Sequence, residues 1–243
     1  MARAAEPFRP QPLKSGIEFT GAEIRALQND DFASPAMLWV TRGEKLWGEP
    51  AGTANKSCAS CHQDARVSMK GVTARYPQVD KVTKQLVNAE GRINLCRLRH
   101  QQAEPLAYES AELLGLAAYV GLQSRGMQIS VPLDEAARPY FDRGKTLFYT
   151  RIGQMNLACT QCHDRNFGRK LLNDTVSQGH GNGYPGYRVE WQTMGSLHRR
   201  LRACFFGVRA EVPAAGSQDL LDLELFLGWR AQGLKVEVPG VRR

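Results

Sequence analysis

Apolar residues recur at i, i+3, i+4 and i+7 in two stretches of the chain, Glu112-Leu-Leu-Gly-Leu116-Ala-Ala-Tyr119 and Asp219-Leu-Leu-Asp-Leu223-Glu-Leu-Phe226. That period buries one face of an amphipathic helix. Gly126 and Gly233 follow the two stretches as expected C-terminal caps. Another helix is predicted upstream of each. The first opens near Ser34-Pro35, with serine as N-cap and proline in the first turn, runs through Met37-Leu38-Trp39-Val40 to Leu46-Trp47, and breaks at Gly48-Glu49-Pro50. The second opens from Val131-Pro132 and leads through Pro139-Tyr140-Phe141 to Leu147-Phe148. Residues 1–33 carry Pro7, Pro10 and Pro12 and read as a surface arm, with Thr20 to Glu23 capping a short helix towards Gln28.

The pattern runs twice. Arg42-Gly43 and Leu46-Trp47 find their mates in Arg143-Gly144 and Leu147-Phe148, 101 residues on. Further along the offset becomes 108: Arg92-Ile-Asn-Leu-Cys96 pairs with Arg200-Leu-Arg-Ala-Cys204, and Pro105 with Pro213. Self-similarity at a fixed offset marks an internal duplication. Each copy reads helix, a Cys-x-x-Cys-His motif at 58–62 or 159–163, loops and terminal helix, an order that resembles the small cytochrome c fold. The expected fold is therefore mainly α, two cytochrome c-like lobes from a duplication with an N-terminal extension: an arm at 1–33, a first lobe at 34–130 and a second at 131–243. The glycine-rich run 179–186 either lines an opening to a site in the second lobe or is a surface loop without a role.

Each copy carries one Cys-x-x-Cys-His, at Cys58-Ala-Ser-Cys61-His62 and Cys159-Thr-Gln-Cys162-His163. Two thiols one helical turn apart can add to the two vinyl groups of one haem, and the histidine that follows becomes the proximal iron ligand. Zinc would need two further ligands beside each pair, and a redox dithiol needs no histidine there. The expected cofactors are two covalently bound haem c groups, attached at Cys58, Cys61, Cys159 and Cys162 with His62 and His163 as ligands. A chain of 243 residues, 42% hydrophobic, suffices for two small haem-filled cores. The formal charge of +8 falls by about four with ionised propionates, which favours an anionic substrate or acidic partner. Basic residues are scattered without interleaved aromatics, which argues against nucleic acid. No apolar run reaches membrane-spanning length. The opening Met1-Ala-Arg-Ala-Ala-Glu has no apolar signal core. Because c-type haem is attached outside the bacterial cytoplasmic membrane, we expect a removed export signal and a soluble periplasmic protein.

The sixth iron ligand decides the chemistry. Met69, Met127, Met155 and Met194 lack symmetric placement and read as core packing. Cys96 and Cys204 are symmetric, 35 and 42 residues past their motifs, and are the expected axial thiolates. A disulfide between them and inert buried thiols are the alternatives. His100, His180 and His198 rank below, without repeat partners. Arg200 lies one helical turn before Cys204, and Arg92 stands likewise to Cys96; each either grips an anionic substrate or pairs with a haem propionate.

Both haem motifs, the 37–47 helix, the two Arg-x-x-x-Cys elements and Gln123-Ser-Arg-Gly126 together resemble SoxA, the dihaem subunit of the SoxAX cytochrome of bacterial thiosulfate oxidation. The resemblance covers residues 15–233. It implies an L-cysteine S-thiosulfotransferase that joins thiosulfate oxidatively to a cysteine of the carrier SoxYZ. It further implies that Cys204 is both distal ligand and persulfide-forming catalytic residue, and that Arg200 is the active-site arginine. Electrons would pass to the haem of SoxX and on to a soluble c-type cytochrome, with the haem of His62 and Cys96 a relay or a vestige. The alternatives are a plain dihaem electron carrier, which normally shows methionine ligands, and a dihaem peroxidase, which needs an open iron position.

Overall fold

A computed structural model describes residues 9–243; Met1 and Pro7 lie outside the described residues. A 3-10 turn, Gly16–Phe19, precedes α1 (Ala22–Asn29). Gly21, not Thr20, occupies its N-cap, because the Thr20 hydroxyl donates to the Ile17 carbonyl at 2.7 Å. Helix α2 (Met37–Gly48) begins later than Ser34-Pro35 predicts: Ser34 accepts the Met37 N–H with its carbonyl, and the N-cap falls on Ala36. Short helices α3 (Ala59–His62) and α4 (Ala65–Ser68) lead to an antiparallel hairpin, β1 (Gln78–Val79) and β2 (Leu86–Val87). Then come α5 (Ala89–Cys96), which runs into one π turn, and α6 (Ala111–Leu122).

The sequence of elements then recurs. Helix α7 (Arg138–Tyr149) is followed by α8 (Cys159–His163) and a small exposed hairpin, β3 (Lys170–Leu171) and β4 (Asp174–Thr175). A second hairpin, β5 (Gly186–Arg188) and β6 (Thr193–Gly195), leads into α9 (Leu197–Gly207) and α10 (Gln218–Arg230). The C-terminal strand β7 (Gly240–Arg242) adds to β5 in parallel. The offset of 108 reaches back to the hairpins: Tyr76-Pro77 matches Tyr184-Pro185, and Leu86 matches Met194. Asn88 and Ser196, again 108 apart, cap α5 and α9 by accepting the N–H of Gly91 and Arg199.

Glycines set the closest helix approaches. A Cβ on Gly43 of α2 would lie 2.0 Å from the Gly115 carbonyl oxygen of α6, and one on Gly144 of α7 would lie 2.0 Å from that of Asp222 on α10. Gly126 and Gly233 adopt left-handed backbone, as expected, but stand beyond the helix ends rather than capping them. Their N–H groups donate to Val236 and Ile129, which binds the segments after α6 and α10 to one another.

The two cores are reciprocal. Trp47, Leu114, Ala118 and Tyr119 of α2 and α6 pack with Tyr187 and Met194 of the second hairpin. Phe141, Phe148, Leu223 and Phe226 of α7 and α10 pack with Leu86 of the first hairpin. Each hairpin thus buries its apolar face in the helix pair of the other half, and the short helix that follows inherits its position from there.

We predict that Gly144→Ala lowers the melting temperature of the haem-loaded protein, at a cost of roughly 1–3 kcal/mol from overpacking a backbone–backbone contact. Gly48→Ala, where an added Cβ meets nothing within 4 Å, leaves it unchanged or slightly raised. Equal melting curves for Gly144→Ala and the parent contradict the packing argument.

Candidate functional site

Helix α8 is held from several sides. Ala158 N–H donates to Gln161 Oε1 at 2.6 Å, and Thr160 Oγ1 donates to Asp164 Oδ2 at 2.6 Å. The buried guanidinium of Arg230 reaches the other Asp164 oxygen at 2.6 Å. This presents Cys159, Cys162 and His163 together. His163 Nδ1 lies 2.8 Å from the Ser177 carbonyl oxygen, which fixes Nδ1 as the donor and leaves the Nε2 lone pair for a metal. Gly179, with φ +76°, lies flat against the imidazole: a Cβ there would come within 2.8 Å of His163 Cγ. The glycine-rich run is therefore no surface loop, since His180, Asn182 and Gly186 within it are buried.

Cys204, on α9, faces His163. Burial alone would push its thiol up, but the Arg200 guanidinium, a hydrogen bond and charge from His163, and then Arg188 bring it down to about 7. Cys159 is pushed up to about 12, chiefly by burial and then by Cys204. A histidine nitrogen and a cysteine sulfur facing one another beside two further thiols form a donor set whose chemistry fits a covalently attached haem.

The first motif repeats this plan in a different field. Cys58, Cys61 and Cys96 lie close enough to influence one another, and His62 packs at 5.7 Å on the Trp47 ring. Burial pushes the Cys96 thiol up, with Arg92 and Arg99 opposing it and Asp80 reinforcing it. Asp80, 2% exposed, accepts from Arg92 at 2.7 Å and from Arg99 at 2.8 Å, and Arg92 Nε also donates to the Tyr76 hydroxyl at 3.1 Å. Arg200 differs from its repeat mate here. It faces Cys204, and among the described residues no carboxylate forms a salt bridge with it.

Cys96 and Cys204 are both free thiols, and no disulfide joins them. Met194 is fully buried and Met69 packs against the same core, as expected. Met127 and Met155 are 39% and 52% exposed, so for these two the core-packing expectation is wrong. His100 is exposed and His180 is buried beside Gln178. His198 belongs to a polar cluster between the halves that the sequence reading missed.

That cluster positions α9. His198 Nδ1 accepts from Gly216 N–H at 3.0 Å, its Nε2 meets Glu224 at 3.0 Å, and its ring stacks on Tyr108 at 5.6 Å. Glu224 accepts from Asn88 at 3.0 Å, and Ser196 at the start of α9 donates to Glu109. Glu90 and Glu224 border a cavity of about 80 Å³ shared with Tyr76, Asn182, Tyr184 and Leu197. Burial first, and the neighbouring Glu224 second, push the Glu90 carboxyl up to about 7. Its folded value exceeds its unfolded value of 4.5, so its stabilising share is complete below pH 4.5 and lost as pH rises through 7. We predict that Glu90→Gln and the parent melt alike near pH 5, whereas at pH 8 the variant is the more stable by on the order of 1–3 kcal/mol. A stability difference that does not grow between those pH values contradicts this.

Residues 42–129 match the family described as SoxA/TsdA, cytochrome c domain. The chain is 42% identical over 247 residues to the L-cysteine S-thiosulfotransferase subunit SoxA of Pseudaminobacter salicylatoxidans, a match covering 100% of this chain and 86% of that protein. It is 39% identical to the SoxA subunit of Paracoccus pantotrophus, over 95% of this chain and 79% of that protein. The crystal structure of SoxXA from P. pantotrophus superposes with a TM-score of 0.91 at 39% identity, covering 94% of this chain and 86% of that one.

Proposed function

The chain belongs to the SoxA family of cytochromes c, and on that premise we propose that it is an L-cysteine S-thiosulfotransferase subunit carrying two haems. Its substrates are thiosulfate and a cysteine of the SoxYZ carrier, its partner subunit is SoxX, and its compartment is the periplasm. No helix among the described residues is long and apolar enough to cross a membrane. We assign Cys58, Cys61 and His62 with Cys96 to the first haem, and Cys159, Cys162 and His163 with Cys204 to the second. The matching order of elements supports a two-lobe division at 34–130 and 131–243 behind the 1–33 arm.

The observation that carries the site assignment is the Arg200–Cys204 pair. A half-buried guanidinium that forms no salt bridge with a carboxylate among the described residues faces a thiol one helical turn away, and that thiol favours its charge against the cost of burial. Such a group suits the oxyanion end of thiosulfate, leaving the terminal sulfur towards Cys204. In the overall reaction the carrier thiol gives up its proton and a sulfur–sulfur bond forms to thiosulfate. Two electrons leave, and a soluble c-type cytochrome receives them. The haems, when bound, supply the one-electron steps between. His163, oriented by Ser177 and walled by Gly179, and Cys204 facing it would hold the haem iron, and Cys204 would also handle sulfur.

Arg200→Ala is expected to keep both haems and lose about 10²-fold in turnover with thiosulfate and SoxYZ; unchanged turnover would remove Arg200 from the mechanism. Mass spectrometry of the tryptic peptide 203–209 without reductant should find it one sulfur atom heavier than the plain sequence. A plain thiol there favours a dihaem electron carrier instead.

A further inference from the structure

Asp80 and Arg188 occupy the same place in the two halves. Both follow the matched Tyr-Pro pairs, 108 residues apart, at the end of the first strand of the hairpin that leads to the cysteine-bearing helix. Each is gripped by the residue three positions on. Thr83 donates its N–H and hydroxyl to Asp80 Oδ1 at 2.8 and 3.0 Å, while the Trp191 ring lies 5.0 Å beneath the Arg188 guanidinium. The tyrosine and the helix arginine around them are retained, as Tyr76 with Arg92 and Tyr184 with Arg200. What changes is the sign of one buried charge.

In the first half that charge is negative and cancels the helix arginine. Asp80 ties down both Arg92 and Arg99, so neither guanidinium is available to an incoming anion. In the second half it is positive. The Arg188 side chain is 8% exposed, and its Nε has no hydrogen-bond partner. Among the described residues its ion-pair partner is Glu190, 64% exposed at 3.0 Å, a pairing that solvent screens heavily. A buried N–H donor without a partner is costly unless something fills the position. Trp191 is sandwiched between Arg188 and Arg199, whose guanidinium lies 4.4 Å from the ring, which holds Arg188 in place without neutralising it.

We propose that Arg188 is a second anion-binding residue beside Arg200 at the Cys204 site, and that Asp80, in the same position of the first half, is what keeps the Cys96 site from binding an anion. This rests on the reading of Arg200 given above. Arg200 and Arg188 both act electrostatically on Cys204, and two guanidiniums at one site suit a divalent oxyanion such as thiosulfate, because each can donate to a different oxygen.

The test is calorimetric titration of thiosulfate, without carrier protein, into the oxidised and fully haem-loaded complex with SoxX. The parent should bind one equivalent. Arg188→Gln should weaken that binding by about 10- to 100-fold, with Arg188→Lys recovering part of the loss. Asp80→Asn, which frees Arg92, should add a second and weaker equivalent. If Arg200→Ala abolishes binding while Arg188→Gln binds as the parent does, this proposal falls and the assignment of Arg200 stands. If Arg200→Ala has no effect, or the parent binds nothing, both fall. Should Asp80→Asn lose a haem, the Arg188 pair of variants decides alone.

Discussion

The constraint on which the rest of this structure depends is the reciprocal burial of the two hairpins. Leu86 enters the core of α7 and α10, and Tyr187 and Met194 enter the core of α2 and α6. Helices α5 and α9 start directly from these hairpins, so the cysteine that each presents is held by the opposite half of the chain. Packing at interior density tolerates little displacement. The polar cluster of His198, Glu224, Tyr108 and Glu109 fastens α9 to the first half a second time. The first half therefore has a mechanical role at the second site, whatever it contributes to electron flow.

On this shared scaffold the two sites are electrostatically opposite. At Cys204 the arginines Arg200 and Arg188 oppose the effect of burial, and the thiol comes down to about 7. At Cys96 a buried carboxylate absorbs the arginines and burial prevails. Thiolate ligation lowers a haem potential and favours ferric iron. A positive surround attracts anions, so with Cys204 as the proposed ligand, ligand chemistry and anion attraction would coincide at that site.

Most of this fold was legible because it was written twice. The two haem motifs, the offsets of 101 and 108, and the apolar periods of α6 and α10 place the helices and pair Cys96 with Cys204 from the sequence alone. Helix starts were less visible: Ser34 offers its carbonyl rather than its hydroxyl, a choice of local geometry that composition does not encode. Gly43 and Gly144 gave no sign of the close helix crossings they permit. Asp80 and Arg188 were within reach, since extending the 108 offset back through the Tyr-Pro pairs aligns them, but opposite charges hide the equivalence of two positions. The cluster around Glu90 carried no local signal, for its members come from four separate segments and meet only through tertiary packing.

Low-temperature EPR of the oxidised SoxX complex, recorded for the parent and for Cys96→Met and Cys204→Met, tests the central claim most directly. Two low-spin ferric signals with the g-spread of thiolate ligation are expected, one altered by each substitution. A high-spin signal, or low-spin signals of histidine–methionine type in the parent that neither substitution moves, would contradict the account.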